Sequence, residues 1–359
     1  MSTSHDAEVL TEWLASCMNV DELTIAWFDG IPTGHSAETV KLELTWKERG
    51  AQRRREVVLR IRPEPPGLLE PYDLRKQYDL LTALEPTPVR SPAVLGYEST
   101  GEILGREFFV MECAPGVVHE VEIPDELRDD PARVRRMSEE FVDELARIHT
   151  VDVGNLGFLG DGGTFWDREF AYWEAEMRRV QRGPLPVLEH LLAELEARRP
   201  AASSEITIVH GDPKPGNFAF SGATLSASFD WELATLGDPM ADIGYAQVTC
   251  RLPGMFTTLP ASLTTDEMAT RWSERTGIDT HDLAWHRAFQ GWKIAIILLL
   301  GSMLFDAGHS DDPRFAFMGY GLPMFTGPAL AELEIETELD QGAVLARPER
   351  LATLQGQGA

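Results

Sequence analysis

The stretch IVHGDPKPGNFAF (residues 208–220) runs from a short apolar strand into a stiff polar turn, then back into an extended apolar pattern. Ile208 and Val209 lead to His210, Gly211 and Asp212, after which Pro213 and Pro215 forbid a helix. Phe218-Ala219-Phe220 then resumes the apolar run. The turn carries an acid, a lysine and an amide in the spacing D-x-K-x-x-N, with a histidine before them. Asp and Asn often cap tight turns, so that spacing alone has a purely structural explanation. A second acid, Asp230 in Phe229-Asp230-Trp231-Glu232, follows Asn217 by thirteen residues and suggests a chemical one. Phosphoryl transfer needs a carboxylate that orients the attacking hydroxyl and takes its proton. It also needs a second carboxylate and an amide oxygen to hold Mg²⁺ on the nucleotide phosphates, and a cation against the developing charge. Asp212, Asp230, Asn217 and Lys214 supply those parts, and hard Mg²⁺ suits the oxygen donors. The run Phe229–Glu232 reads as an apolar strand that delivers Asp230.

Working outward, residues 39–46 alternate at period two, and residues 56–61 follow the basic turn KERGAQRRR, which together read as a β-hairpin. Leu74, Tyr78, Leu81 and Leu84 show helical spacing, and residues 107–112 read as a strand ended by Ala114-Pro115-Gly116. Beyond that point the pattern turns helical. Pro131 follows Asp130 at a first helical position, and Val134, Met137, Phe141, Leu145 and Ile148 form one apolar stripe. Further helices are expected at 165–181, 186–198, 266–275 and 281–305, and no internal repeat is visible. The expected class is α+β: a small β-rich N-lobe over 1–113, a larger α-helical C-lobe over 114–340, and a loosely held tail over 341–359.

The 359 residues suit two lobes better than one core. A formal net charge of −26 argues against a nucleic-acid partner or an anionic membrane surface. Cys17, Cys113 and Cys250 are odd in number and have no C-x-x-C pair, so neither a disulfide framework nor a zinc site follows. The N-terminus lacks a basic-then-apolar signal, and the apolar run Ile294–Phe305 falls short of the roughly 20 residues that cross a bilayer. That run is expected as a buried helix, and the compartment as the cytosol. There is no G-x-x-x-x-G-K-[ST] loop, no H-E-x-x-H and no G-x-S-x-G.

At these motifs the sequence resembles the aminoglycoside phosphotransferase and choline kinase-like superfamily, most closely its acyl-CoA dehydrogenase-linked branch. The resemblance covers about residues 20–335 and rests on GHSAET (34–39), VVLR (57–60), FVMECAPG (109–116), LARIHTVDV (145–153), VHGDPKPGN (209–217), FDWELATLGDPMADIGY (229–245) and WHRAF (285–289). It implies a protein-kinase-like bilobal fold and the use of ATP and Mg²⁺. Asp212 would be the catalytic base, His210 would brace the loop, and Lys214 would lie near the γ-phosphate. Asn217 and Asp230 would be the metal ligands. Asp242 would anchor the catalytic loop from the following helix, and Glu232 and Asp238 match branch signatures; Asp238-Pro239 could equally start a helix.

On the nucleotide side, Gly34 and Ser36 would cover the phosphates, although the loop could also be an ordinary hairpin turn. Met111, Glu112 and Cys113 would form the hinge, with backbone groups of Glu112 and Cys113 meeting adenine. Arg60 stands where most of the superfamily has the phosphate-binding lysine, and Arg62 is the next candidate on that strand. Gln77 stands where the branch commonly has the acid that pairs with this cation. A neutral amide can hydrogen-bond Arg60 without forming an ion pair, and Asp73 one turn earlier is a possible substitute.

The resemblance implies a small hydroxylated acceptor, hydroxyacyl-CoA or another apolar metabolite in preference to an aminoglycoside. Phe165, Trp166, Tyr172, Trp173, Trp285 and Trp292 could line its pocket or simply form core. The alternative, prompted by Gln77, is a nucleotide-binding module without turnover.

Overall fold

A computed structural model of the chain describes residues 4–30, 38–120, 122–181, 183–201 and 203–337. It divides into two compact units, one of Met1–Val118 with Asn217–Glu232 and one of His119–Gly216 with Leu233–Ala359. The class is α+β. The expected tail (341–359) and the loop containing Gly34 and Ser36 lie outside the described residues.

The first unit is organised by a five-stranded antiparallel sheet in the order β1-β2-β3-β5-β4: β1 Thr24–Gly30, β2 Glu38–Glu48, β3 Ala51–Ile61, β4 Val94–Glu98 and β5 Phe108–Glu112. β2 and β3 form the expected hairpin in unbroken register from Glu48↔Ala51 to Glu38↔Ile61. β3 changes character midway, exposed over Ala51–Glu56 and buried over Val57–Ile61. Its basic half meets solvent, while its apolar half has β2 and β5 as neighbours on its two sides. A helix missed by the sequence reading, α1 (Ser4–Met18), adds Leu10 and Leu14 to a core with Leu42, Leu44, Val57, Leu59 and Phe108. Each such fully buried side chain contributes about 1.5–3 kcal/mol. Arg60 is the one charged residue in the buried half of β3. The helix α2 (Leu74–Leu84) is capped by Asp73, whose carboxylate accepts from the Lys76 amide at 2.8 Å.

The first unit also takes in a later segment. The hairpin of Phe218–Ser221 and Thr224–Ser228 pairs with the short strand Val117–Val118, and the Ser228 amide donates to the Arg90 carbonyl at 2.7 Å. These bonds explain why the compact units differ from the linear partition at 113/114, with 217–232 grouped with the N-terminal strands.

The second unit is helical. The expected helix after Asp130 spans Pro131–His149, with Asp130 accepting from the Arg133 amide at 2.9 Å. Phe165–Val180, Pro186–Ala197, Thr265–Thr276 and Leu283–Ala307 also follow the sequence pattern closely. Leu283–Ala307 is longer than its apolar run suggests. Its 25 residues are long and apolar enough to cross a membrane, but 83% of the most apolar window is buried inside the protein. It packs against Met240–Thr249, Phe165–Val180, Pro186–Ala197 and Leu322–Glu332, the position of a core helix.

Candidate active site

The Asp212 loop grows out of the strand Thr207–Val209, which pairs antiparallel with Thr235–Gly237. Where the strand ends, the next two amides are claimed by one carboxylate. Asp242, on the helix Met240–Thr249 and fully buried, accepts from the His210 amide at 2.7 Å and from the Gly211 amide at 2.9 Å. Its Oδ2 also meets His149 Nε2 at 3.0 Å. The tautomer of His149 is determined by its neighbour, because the Trp272 indole N–H can only donate and lies 2.9 Å from His149 Nδ1. Nε2 therefore carries the proton and donates it to Asp242. Burial works to raise the Asp242 pKa, but the His149 hydrogen bond and the Gly211 amide outweigh it and hold the carboxyl below its usual value.

Gly211 has φ +86°, and a Cβ there would lie 2.6 Å from Leu233 Cβ and 2.7 Å from its carbonyl oxygen, so the position demands glycine. The Gly211 carbonyl accepts from Lys293 Nζ at 2.8 Å. The Asp212 amide then donates to His210 Nδ1 at 3.3 Å, and the Lys214 amide to the Asp212 carbonyl at 2.9 Å. The Tyr245 hydroxyl donates to the Asp212 carboxylate; burial and that neighbouring charge push the phenol pKa well above normal. Lys214 Nζ pairs with Glu120 at 3.1 Å. Pro215–Asn217 forms a single 3₁₀ turn despite its proline, since Pro at the first position of a turn gives up no internal bond.

In the other unit, Asn217 is buried and its backbone carbonyl accepts from the Phe229 amide at 2.8 Å, which draws the chain before Asp230 alongside it. Phe229–Glu232 is not the expected strand. The strand stops at Ser228, Asp230 adopts the left-handed region at φ +59°, and Trp231–Leu233 forms a 3₁₀ turn. Trp231 is the cause: its indole is buried and donates to the Ser228 carbonyl at 3.2 Å, folding the chain back on itself. Asp tolerates this backbone region better than most residues, at a cost of about 1–3 kcal/mol.

Arg60 completes this half, its Nη2 lying 2.7 Å from Asp230 Oδ1 and 3.2 Å from Glu232 Oε2. Burial disfavours its charge, and the two carboxylates overcome that and raise its pKa. The acid partners of Arg60 are thus Asp230 and Glu232, in place of the Asp73 offered as a substitute acid. Gln77 is buried, and its Nε2 finds no acceptor among the described residues, while Asp73 caps α2. Arg62, the other candidate, pairs with Glu107 at 3.0 Å. The expected hinge follows directly from the sheet. Met111 lies within β5, the Glu112 amide donates to the Ala93 carbonyl at 2.8 Å, and the Cys113 amide donates to the Glu56 carbonyl at 3.1 Å. Both amides are sheet donors, so of the backbone groups at Glu112 and Cys113 the carbonyls are the ones these bonds leave for adenine.

Asp238 is buried and serves the helix start, accepting from the Met240 amide at 2.9 Å and from the Trp166 indole at 3.2 Å, while burial raises its pKa. Phe165, Tyr172 and Trp173 line a cavity beside Gly211 together with Gln290 and Lys293. Trp166, Trp285 and Trp292 instead pack with Phe289 as core. Sequence reasoning missed Tyr245, Lys293, His149 and Trp272. The one available signal was for Lys293, a cation directly before the most apolar run of the chain.

The donor set fits a magnesium ion. Asn217 and Asp230 offer side-chain oxygens on neighbouring backbone, and Asp230 already stabilises a cation through Arg60. No group of three or more His, Cys, Asp or Glu side chains suited to a metal occurs among the described residues. Two protein ligands are what Mg²⁺ takes when phosphate oxygens and water provide the rest.

Residues 30–270 match the profile of the phosphotransferase enzyme family. A mouse protein, acyl-CoA dehydrogenase family member 10, is 31% identical over 206 residues, which cover 56% of this chain but only 19% of that protein's length. Among solved structures, a protein from Ralstonia eutropha assigned as an aminoglycoside phosphotransferase superposes with a TM-score of 0.73 at 23% identity, covering 91% of this chain and 98% of that one. A thermostable mutant of an aminoglycoside phosphotransferase, solved with ADP and hygromycin B, gives a TM-score of 0.51 at 13% identity, over 92% and 99% of the two chains. At these identities the structural likenesses speak to the fold.

Proposed function

The chain belongs to the phosphotransferase enzyme family, and from that premise we propose that it is an ATP-dependent, Mg²⁺-requiring kinase acting on the hydroxyl of an apolar small molecule. Hydroxyacyl-CoA compounds are the favoured acceptors. The observation that carries the reading is the anchored loop: one buried carboxylate, Asp242, holds the two amides that lead into Asp212. A loop braced in this way presents a general base in a fixed orientation, which is most of what protein residues contribute to phosphoryl transfer.

In this mechanism the Asp212 carboxylate orients the acceptor hydroxyl and takes its proton as that oxygen bonds to the γ-phosphorus and the β,γ-bridging oxygen leaves with ADP. Asn217 and Asp230 would hold the Mg²⁺, which when bound neutralises charge on the phosphates. Arg60 and Lys214 supply further positive charge, each carried to the site in an ion pair with an acid. The acyl-CoA preference is supported by the name of the mouse relative and by the aromatic walls of the cavity beside Gly211. The reading without turnover rested on Gln77. It loses its motive once Arg60 is seen to have two acids of its own.

The test is an acceptor screen with Mg·ATP, comparing hydroxyacyl-CoA esters, free hydroxy acids and aminoglycosides, with the product detected by mass. An 80 Da gain on a hydroxyacyl-CoA is expected. Phosphorylation confined to aminoglycosides would overturn the acceptor class, and nucleotide binding with no product from any acceptor would overturn the kinase reading.

A further inference from the structure

Lys293 shares the mostly apolar helix Leu283–Ala307 with two other charged residues, Arg287 and Asp306, and it is buried. A buried ammonium is costly unless hydrogen-bonded or paired, so its surroundings show what keeps it there. One donor goes to the Gly211 carbonyl at 2.8 Å. The charge sits over two aromatic faces, 5.1 Å from the Trp173 ring centre and 5.4 Å from that of Tyr245. Glu169 stands 3.9 Å away, too far for a hydrogen bond but close enough for charge compensation. Two of these contacts reach Asp212. Gly211 is its immediate neighbour in the chain, and the Tyr245 hydroxyl donates to its carboxylate.

We propose, building on the phosphotransfer reading, that Lys293 is a positioning residue for the base Asp212, acting through the Gly211 carbonyl and the Tyr245 ring. Asp242 holds the Gly211 amide, and Lys293 holds the carbonyl of the same residue. With both polar groups of Gly211 held, the backbone entering Asp212 cannot swing in either direction. The second arm is electrostatic: a cation over the face of a phenol draws density from the ring and strengthens the O–H as a donor. Tyr245 then fixes the carboxylate of Asp212 as firmly as the backbone is fixed. A merely structural lysine would need neither contact.

The test uses the full chain and two readouts. Hydrogen exchange of the segment 206–217 reports the loop directly, and Mg·ATP hydrolysis with water as acceptor reports the chemistry. In Lys293→Met, exchange at 210–214 should quicken about tenfold or more while the helix Pro131–His149 keeps its protection. The kcat for hydrolysis should fall about ten- to a hundredfold, the scale for a misplaced catalytic group, with KM for ATP within twofold. Tyr245→Phe should keep the exchange pattern and lower kcat only. Exchange and kcat both at the unmodified level in Lys293→Met would overturn the proposal. Should that variant fail to fold, Lys293→Gln keeps a donor for the carbonyl without the charge. A kcat reduced several-fold at unchanged KM then supports the cation's part, and full activity reduces Lys293 to packing. If the unmodified protein hydrolyses no ATP, the phosphotransfer reading suffers, and the exchange comparison still decides the role of Lys293.

Discussion

Around Asp212 the protein holds backbone with buried side chains: Asp242 takes two amides, Lys293 takes a carbonyl, and His149 with Trp272 fixes Asp242 in turn. Around Arg60 it holds charge with charge, one guanidinium between two carboxylates, with Asp230 in a strained backbone conformation. The first arrangement has one solution, since each donor has a single buried acceptor: Asp242 for the two amides and the Gly211 carbonyl for Lys293. The second has several, because Arg60 has two acids within reach and the proposed metal would offer Asp230 a second cation. Catalytic geometry calls for the first kind of construction, and ligand exchange calls for the second.

The largest test of this contrast lies at its rigid end. Asp212→Asn should lower kcat by roughly 10²–10⁴, the scale of general-base loss, while leaving the loop anchors in place. Melting temperature and the Mg·ATP-induced thermal shift should therefore match the unmodified protein. A mutant that loses its thermal shift as well as its rate would mean that Asp212 takes part in nucleotide binding.

The anchor itself should show in stability before it shows in rate. Asp242→Asn replaces an acceptor of three donors with a group that is half donor, at an expected cost of about 2–4 kcal/mol in chemical denaturation. The pH dependence has a definite sign. A carboxyl held below its usual value contributes stability above the unfolded pKa near 3.9, and that contribution is lost as pH falls through the lower folded value. The gap between mutant and unmodified protein should then close only below about pH 4. His286 must be separated from this effect. Burial lowers its pKa to about 3, so it costs stability from about pH 6.5 downward in both proteins. A gap that closes already at pH 6 would contradict the account of Asp242.

The rigid half was also the legible half. His210, Asp212, Lys214 and Asn217 lie within eight residues, so their spacing was visible locally, and the anchoring role of Asp242 on the next helix followed from the family resemblance. The β2–β3 hairpin and most of the large helices were legible for the same reason, each having its own periodicity. The Arg60 partners were not, because Glu232 lies 172 residues away and no local pattern says which acid a buried arginine will find. The short hairpin Phe218–Ser228 was only half visible, and its membership in the N-terminal unit was invisible, since strand pairing with Val117 is decided by the fold. The expected strand at Phe229–Glu232 failed because one buried tryptophan turned the chain.

At the exchangeable end, Asp230→Ala should remove the carboxylate offered to Mg²⁺ and leave Arg60 with Glu232 alone. The Mg²⁺-dependent part of the ATP thermal shift should disappear, corresponding to at least a tenfold weaker Mg·ATP complex, or about 1.4 kcal/mol. A full shift in the mutant would take Asp230 out of the metal site.

The finest test compares Glu232→Gln with Gln77→Glu, because each alters the acid balance around the same arginine. With Glu232 neutralised, Arg60 keeps only Asp230, and its hold on that carboxylate should tighten. Mg²⁺ must then compete harder for Asp230. The half-saturating Mg²⁺ concentration in an ATP-binding titration should rise about two- to fivefold, in keeping with the modest worth of one partly buried ion pair. Gln77→Glu should do less. It places a new charge at a buried position on α2, and Arg60 already has two acids nearer in energy, so the KM for ATP should move by less than twofold. The outcomes separate two designs. If Glu232→Gln is silent while Gln77→Glu lowers KM several-fold, the guanidinium prefers an acid on α2 whenever one is offered, and Glu232 is a bystander. If the effects fall as expected, the arginine's partner has moved from the helix to the turn that carries the metal ligand. Nucleotide and metal affinity would then be tuned by one residue, Glu232.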